Sequence, residues 1–256
     1  MSPSLESVPE SAAVPTEREM VRVEHVTKQF SLRHDRSLKE LVFSALQRKK
    51  LSDTFLALDD VDLTVRAGET VGLIGFNGSG KSTLLKTISG VLFPDRGRVL
   101  LRGRVAGLIE VGAGFHPDLS GRENVYLNGA ILGMTREQID ERFEEIVAFS
   151  EIEEFIDTDV KYYSSGMFLR LAFAVAVHTE PDIFLVDEIL SVGDEPFQRK
   201  CLERICELQE AGRTMIVVSH ELEMLERLCT RIVVLRKGRT VFDGDPTTAI
   251  ATLRDS

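Results

Sequence analysis

Gly75-Phe76-Asn77-Gly78-Ser79-Gly80-Lys81-Ser82-Thr83 matches the phosphate-loop pattern G-x-x-x-x-G-K-[ST] at every constrained position. An apolar run, Val71-Gly72-Leu73-Ile74, leads into it and reads as a buried strand. Ser82-Thr83-Leu84-Leu85-Lys86-Thr87-Ile88 leads out of it as a helix. Glycines let the backbone curl until successive N–H groups face inward, and the helix N-terminus adds positive partial charge. Lys81 contributes a point charge worth roughly 4 kcal/mol per unit charge at 4 Å and an effective dielectric near 20. Ser82 offers a hydroxyl to Mg²⁺. The stretch predicts a nucleoside triphosphate site at the end of a strand in an α/β fold.

The rest of the composition narrows the class. A chain of 256 residues supports one large domain, or one domain with a subdomain. No uninterrupted apolar run approaches the roughly 18–20 residues that cross a bilayer. Residues 1–20 are rich in Ser, Pro and Glu and lack a basic start followed by an apolar block, which predicts a disordered tail rather than a secretory signal. Cys201, Cys206 and Cys229 are odd in number and have no metal-ligand spacing, so a reducing compartment is the economical reading. A net charge of −10 argues against nucleic acid as a partner.

One stretch runs against that charge. Arg33, Arg36, Lys39, Arg48, Lys49 and Lys50 face only Asp35 and Glu40, inside an insertion spanning 31–54. Leu38, Leu41, Val42 and Ala45 fall at helical spacing within it, predicting a short amphipathic helix. Two readings stand: a solvated helix packed on the domain, or a surface that meets lipid headgroups or a membrane partner.

Strand and helix signals alternate along the remainder. Val21–Val26 and the stretch from Phe55 through Val65 read as strands ahead of the phosphate loop. Shorter strands follow around Arg98–Leu101 and Val105–Ile109. From 115 to 180 the pattern turns helical; Thr135 with Gln138 forms a capping box, and Ile139, Phe143, Ile146 and Val147 form a buried stripe. Ile183–Val186 and Met215–Val218 are apolar strands flanking a helix over Gln198–Gln209, and a hairpin turns at Lys237-Gly238. The predicted fold is α/β: a mostly parallel sheet covered by helices, an N-terminal antiparallel part, and an inserted helical subdomain within one domain over 21–256.

Further candidate residues complete the site. Leu185-Val186 ends in Asp187-Glu188, where Asp187 suits Mg²⁺ and Glu188 suits an attacking water. His220 directly follows the strand ending at Ser219, placed to hydrogen-bond a γ-phosphate. Tyr163-Ser164-Ser165-Gly166-Met167-Phe168-Leu169-Arg170 opens an apolar helix with a serine cap, a second anion site for which one chain holds no second triphosphate. A head-to-tail pair of subunits resolves this, each offering the helix start to the other's γ-phosphate.

Taken in order, these motifs and Ser191-Val192-Gly193-Asp194 resemble the ATPase subunit of an ATP-binding-cassette transporter over nearly the whole chain from Val21. The resemblance implies ATP and Mg²⁺ as ligands. It makes Gly75 to Thr83 the Walker A loop, Asp187 the Walker B aspartate and Glu188 the catalytic base. Ser164, Ser165 and Gly166 become the signature, Asp194 the D-loop, His220 the switch histidine, and Phe30 the aromatic that stacks on adenine. Two departures narrow it: the usual Leu-Ser-Gly-Gly-Gln reads Tyr-Ser-Ser-Gly-Met, and Glu110 stands where a glutamine is usual. With Gly121-Arg122-Glu123-Asn124-Val125 and the basic insertion, they are similar to the branch that exports lipid-linked O-antigen, teichoic acid or cell-wall galactan. Some members of that branch continue into a carbohydrate-binding domain, which a chain stopping at Ser256 is expected to lack. The implied partners are a second copy and an integral membrane permease, at the cytoplasmic face of the membrane, with no nucleic acid. The alternatives are a transporter with another cargo, or a soluble cassette ATPase acting on nucleic acid.

Overall fold

A computed structural model describes residues 19–32, 53–108, 112, 114–187 and 194–255. Of the tail expected over 1–20, residues 1–18 lie outside the described residues, whereas Glu19 and Met20 already belong to a paired strand. Of the insertion expected over 31–54, residues 33–52 lie outside them, whereas Ser31-Leu32 and Asp53-Thr54 pair with each other as strand ends. Glu110, Glu188 and Ser191-Val192-Gly193 also lie outside the described residues.

Three strands form an antiparallel sheet in the order β2-β1-β4: β1 (Glu19–Leu32), β2 (Asp53–Arg66) and β4 (Arg96–Leu101). The pairing slips around His25 and Asp60, both in left-handed backbone (φ 49° and 56°), where a bulge bends the ribbon. β3 (Thr70–Ile74) follows β2 through a turn at Gly68 and enters a second sheet. That sheet has six strands in the order β5-β6-β7-β3-β8-β9. Its members are β5 (Val105–Gly107), β6 (Ile183–Val186), β7 (Thr214–Val218), β8 (Arg231–Arg236) and β9 (Arg239–Gly244) besides β3. All neighbours are parallel except β8 and β9, the antiparallel hairpin at Lys237-Gly238.

The central strands β3, β6 and β7 are buried at every position, and their apolar side chains alternate between the two faces. Ile74, Phe184, Val186, Met215 and Val217 point into one core; Val71, Leu73, Ile183, Leu185, Ile216 and Val218 point into another. The first core is closed by helices α4 (Ser165–Val177), α5 (Glu195–Glu210), α6 (Leu222–Leu228) and α7 (Pro246–Arg254). The second is closed by α1 (Lys81–Ile88) and the antiparallel sheet.

A third core lies among α2 (Gly121–Ile131), α3 (Arg136–Ser150) and α4. α3 is capped by Thr135, with Gln138 completing the reciprocal box, and buries Ile139, Phe143, Ile146 and Val147. α4 serves two cores at once: Phe173, Ala176 and Val177 face the sheet while Leu171, Ala174 and Val175 face α2 and α3. That is why it is apolar all round from Leu171 onward.

Two further boundaries depart from the sequence pattern. The helix expected from Gln198 begins at Glu195, since Pro196 is tolerated in a first turn where its missing N–H has no partner to lose. β5 ends at Gly107, short of the strand expected as far as Ile109, which lies outside the described residues; the Leu108 N–H still donates to Leu185 O at 2.8 Å.

Candidate nucleotide site

Strand order brings the expected residues to one edge. β6, β7 and β3 are consecutive parallel neighbours, so their carboxyl ends open side by side. Residues 75–83 leave β3, Asp187 leaves β6, and Ser219-His220 leaves β7. Asp187 is half-buried and His220 exposed. The Ser219 hydroxyl accepts the Glu221 N–H at 3.0 Å, which turns the chain sharply at His220. A cavity of about 540 Å³ opens between Gly75-Phe76-Asn77 and Ser219-His220, with Leu253 of α7 on its wall.

The loop itself is held in left-handed backbone at Gly78 (φ 77°) and Gly80 (φ 110°). A Cβ on Gly80 would sit 2.6 Å from the Ala57 carbonyl oxygen of β2, whereas one on Gly78 would meet nothing within 4 Å. Gly78 is therefore open toward solvent and its backbone is available to a ligand, while Gly80 is pressed against the antiparallel sheet. Gly80 caps α1 without a side-chain bond, so the first turn of that helix offers its N–H groups outward. Lys81 is buried and donates from Nζ to Gly75 O at 2.8 Å, with Phe76 O at 3.4 Å. Ser82 is exposed and Thr83 half-buried. Open N–H groups, a buried ammonium and the hydroxyl of Ser82 fit a polyphosphate. Ser82 and the Asp187 carboxylate are hard oxygen donors that fit Mg²⁺.

One support for the loop went unread in the sequence. Gly238, at the tip of the β8–β9 hairpin, donates its N–H to Ser79 O at 2.9 Å and accepts the Asp59 N–H at 2.8 Å. A turn thus pins the phosphate loop to β2. Lys237-Gly238 announced a hairpin, but no local signal says what its tip touches. Phe30 lies on this same side: it pairs with Phe55 in β2, two residues before Ala57, and Lys28 Nζ stands 5.8 Å from its ring centre.

The Ser-Ser-Gly stretch starts α4. Ser164 and Ser165 are exposed, and the Ser164 hydroxyl caps the helix by accepting the Met167 N–H at 3.2 Å. Among the described residues none of its hydrogen bonds reaches 75–83. Tyr163 fixes this start: its hydroxyl donates to Phe155 O at 2.8 Å and lies against Gly121, and burial pushes its pKa up to about 12. Asp194, exposed at the N-cap of α5, accepts from Arg170 Nη2 at 2.5 Å. The Arg170 guanidinium holds its carboxyl below the usual range.

Comparison with known proteins gives this geometry a family. The ABC transporter family model matches residues 58–191. The ABC transporter protein AbcA of Aeromonas salmonicida is 47% identical over 227 residues, covering 89% of this chain and 73% of its own. RfbB of Myxococcus xanthus, an O-antigen export system ATP-binding protein, is 50% identical over 78% of this chain, which spans 46% of that relative's length. Among solved structures, the dimeric ATP-binding cassette MJ0796 bound to ADP and Pi superposes with a TM-score of 0.70 at 24% identity, covering 89% of this chain and 99% of its own. That last likeness is one of fold.

Proposed function

The chain belongs to the ABC transporter family, and on that premise we propose that it binds and hydrolyses ATP to drive export of a lipid-linked polysaccharide. Lys81 and the backbone N–H groups of residues 75–83 hold the phosphates, and Phe30 takes the adenine. Ser82, Asp187 and Glu110 are the residues assigned to Mg²⁺, and the ion would neutralise phosphate oxygens when bound. Glu188 orients the water and takes its proton, and His220 donates to the γ-phosphate. Ser164, Ser165, Gly166 and Asp194 serve the site of a second copy, head to tail. No helix among the described residues is long and apolar enough to cross a membrane, so a separate permease forms the path and holds this subunit at the cytoplasmic face.

The observation that carries this reading is the side-by-side ending of β3, β6 and β7, which supplies Lys81, Asp187 and His220 to one edge. Kinship to an O-antigen export protein supports the cargo class. Glu188→Gln tests the chemistry: it should retain ATP, stall turnover, and elute as a dimer with ATP and Mg²⁺. Normal turnover in that variant would remove Glu188 as the base. Depletion in cells tests the cargo: lipid-linked glycan should accumulate inside, and unchanged glycan export would reject it.

A further inference from the structure

Two backbone turns press on a single peptide of β2. Ala57 is the extra residue of a bulge, because Leu56 pairs with Gln29 of β1 and Leu58 with Lys28. Gly80 of the phosphate loop and Gly238 of the β8–β9 hairpin both approach its carbonyl oxygen; a Cβ added to either would stand 2.6 or 2.8 Å from it. Lys237 and Gly238 are both left-handed (φ 49° and 79°) between the paired Arg236 and Arg239, the backbone of a two-residue type I′ hairpin. The tip is fastened on both sides: the Gly238 N–H donates to Ser79 O of the loop, and its carbonyl accepts the Asp59 N–H of β2. Behind it Arg239 donates from Nε at 2.7 Å and from Nη2 at 2.6 Å to one oxygen of the Asp59 carboxylate.

β2 also carries the other end of the nucleotide site. Phe30 stands opposite Phe55, two residues before Ala57, so about 7 Å of strand separates it from the point where loop and hairpin tip press on β2. The end of β1 is fastened as well, since Asp95 accepts the Gln29 N–H at 2.6 Å and Lys28 Nζ at 3.2 Å. We infer that Gly238 is a positioning residue for the nucleotide base: lodged between loop and strand, the hairpin tip sets the span from Phe30 to the phosphate loop. The inference rests on the reading that Phe30 takes the adenine. A ligand held at two ends gains from both only while their spacing matches its own length. Phosphates bound alone need no such match. The tip therefore favours a nucleotide over an inorganic polyphosphate, although it touches β2 and the loop and not the base.

The test is competition against a fluorescent ATP analogue in the presence of Mg²⁺. It gives the affinities of a non-hydrolysable ATP analogue and of inorganic tripolyphosphate for wild type, Gly238→Ala, Arg239→Gln, Phe30→Ala and the Gly238→Ala/Phe30→Ala double variant, each with its melting temperature. Phe30→Ala should weaken the nucleotide by about tenfold or more, the worth of a stacked base. Gly238→Ala wedges a methyl between the tip and Ala57 O; it should weaken the nucleotide by about fivefold and leave tripolyphosphate within about twofold of wild type. The double variant should bind the nucleotide no more weakly than Phe30→Ala does, since a base without its platform cannot be misplaced. Arg239→Gln replaces a side chain that is 68% exposed, so it reports even where Gly238→Ala misfolds. It should weaken the nucleotide by about twofold to threefold and tripolyphosphate not at all. Equal losses for the two ligands, wild-type nucleotide affinity in both Gly238→Ala and Arg239→Gln, or a Gly238→Ala loss that persists in full beside Phe30→Ala would overturn the inference alone. Wild-type nucleotide affinity in Phe30→Ala would reject the base platform itself, and the inference with it.

Discussion

Lys81 Nζ donates to the carbonyl oxygen of Gly75, six residues upstream, at 2.8 Å, so the ammonium lies folded along the inside of its own loop. The charge is buried, which costs free energy that backbone carbonyls offset only in part. A triphosphate offers it a better partner, so this side chain is poised for an anion. Lys81→Ala should weaken binding of a fluorescent ATP analogue by about a hundredfold, roughly 2.7 kcal/mol. A titration giving affinity within about threefold of wild type would reject Lys81 as a phosphate ligand.

Two glycines in the same loop should respond differently to a methyl group. Gly80→Ala combines left-handed strain with a Cβ 2.6 Å from Ala57 O, backbone that does not yield. It should cost about 2 kcal/mol or more of stability in denaturant unfolding. Gly78→Ala carries strain alone, with nothing within 4 Å of the added carbon, and should cost about 1 kcal/mol. Equal losses, or the reverse order, would show that the contact with β2 does not set the loop's shape.

What could be read from the sequence was what neighbours in the chain decide. The strand 71–74, the capping box of Thr135 and Gln138, the α3 stripe and the turn at Lys237-Gly238 are all local grammar, and each recurs in the structure. The parallel order was legible only as a class; that β7 stands between β3 and β6 is a fact of assembly. The bond from Arg170 to Asp194 spans 24 residues, and the one from Gly238 to Ser79 joins a hairpin tip to a loop far upstream. No periodicity encodes either, because each depends on which elements pack together. Their only trace was an arginine in an otherwise apolar helix and a glycine in a turn.

Burial also sorts the three cysteines, all of them free thiols. Cys201 and Cys229 are buried, and desolvation pushes both up to about 12; Cys206 is half-buried and raised by the same cause. A thiolate reagent at about pH 8 should label Cys206 first and reach the other two only on unfolding. Mass spectrometry that finds Cys201 or Cys229 labelled first would contradict the packing of α5 and α6 on the sheet.

His178 makes the fold sensitive to acid. It is buried at the end of α4 with Nδ1 2.6 Å from Ala174 O, and burial lowers its pKa below the ordinary 6.5. The unfolded chain therefore binds this proton at higher pH than the folded one. Stability from the neutral ring is present above 6.5 and is lost as pH falls through the folded value. The urea midpoint should drop between about pH 7.5 and 5.5, and His178→Gln should flatten that drop. A midpoint equally steep in both proteins would remove His178 as the cause.

Gly121 and Tyr163 form the last pair that can be separated. A Cβ at Gly121 would overlap the Tyr163 hydroxyl and lie 3.0 Å from Ile156 O. Gly121→Ala should therefore cost about 1–3 kcal/mol, by forcing the ring off its seat beside Ser164. Tyr163→Phe alone gives up the bond to Phe155 O at 2.8 Å, for about 1 kcal/mol. Together the two should cost less than their sum, because the phenyl ring lacks the atom that the new methyl strikes. Additive losses in a double-mutant cycle would mean that Gly121 is required for the turn into α2 and not for the tyrosine that locks the start of α4.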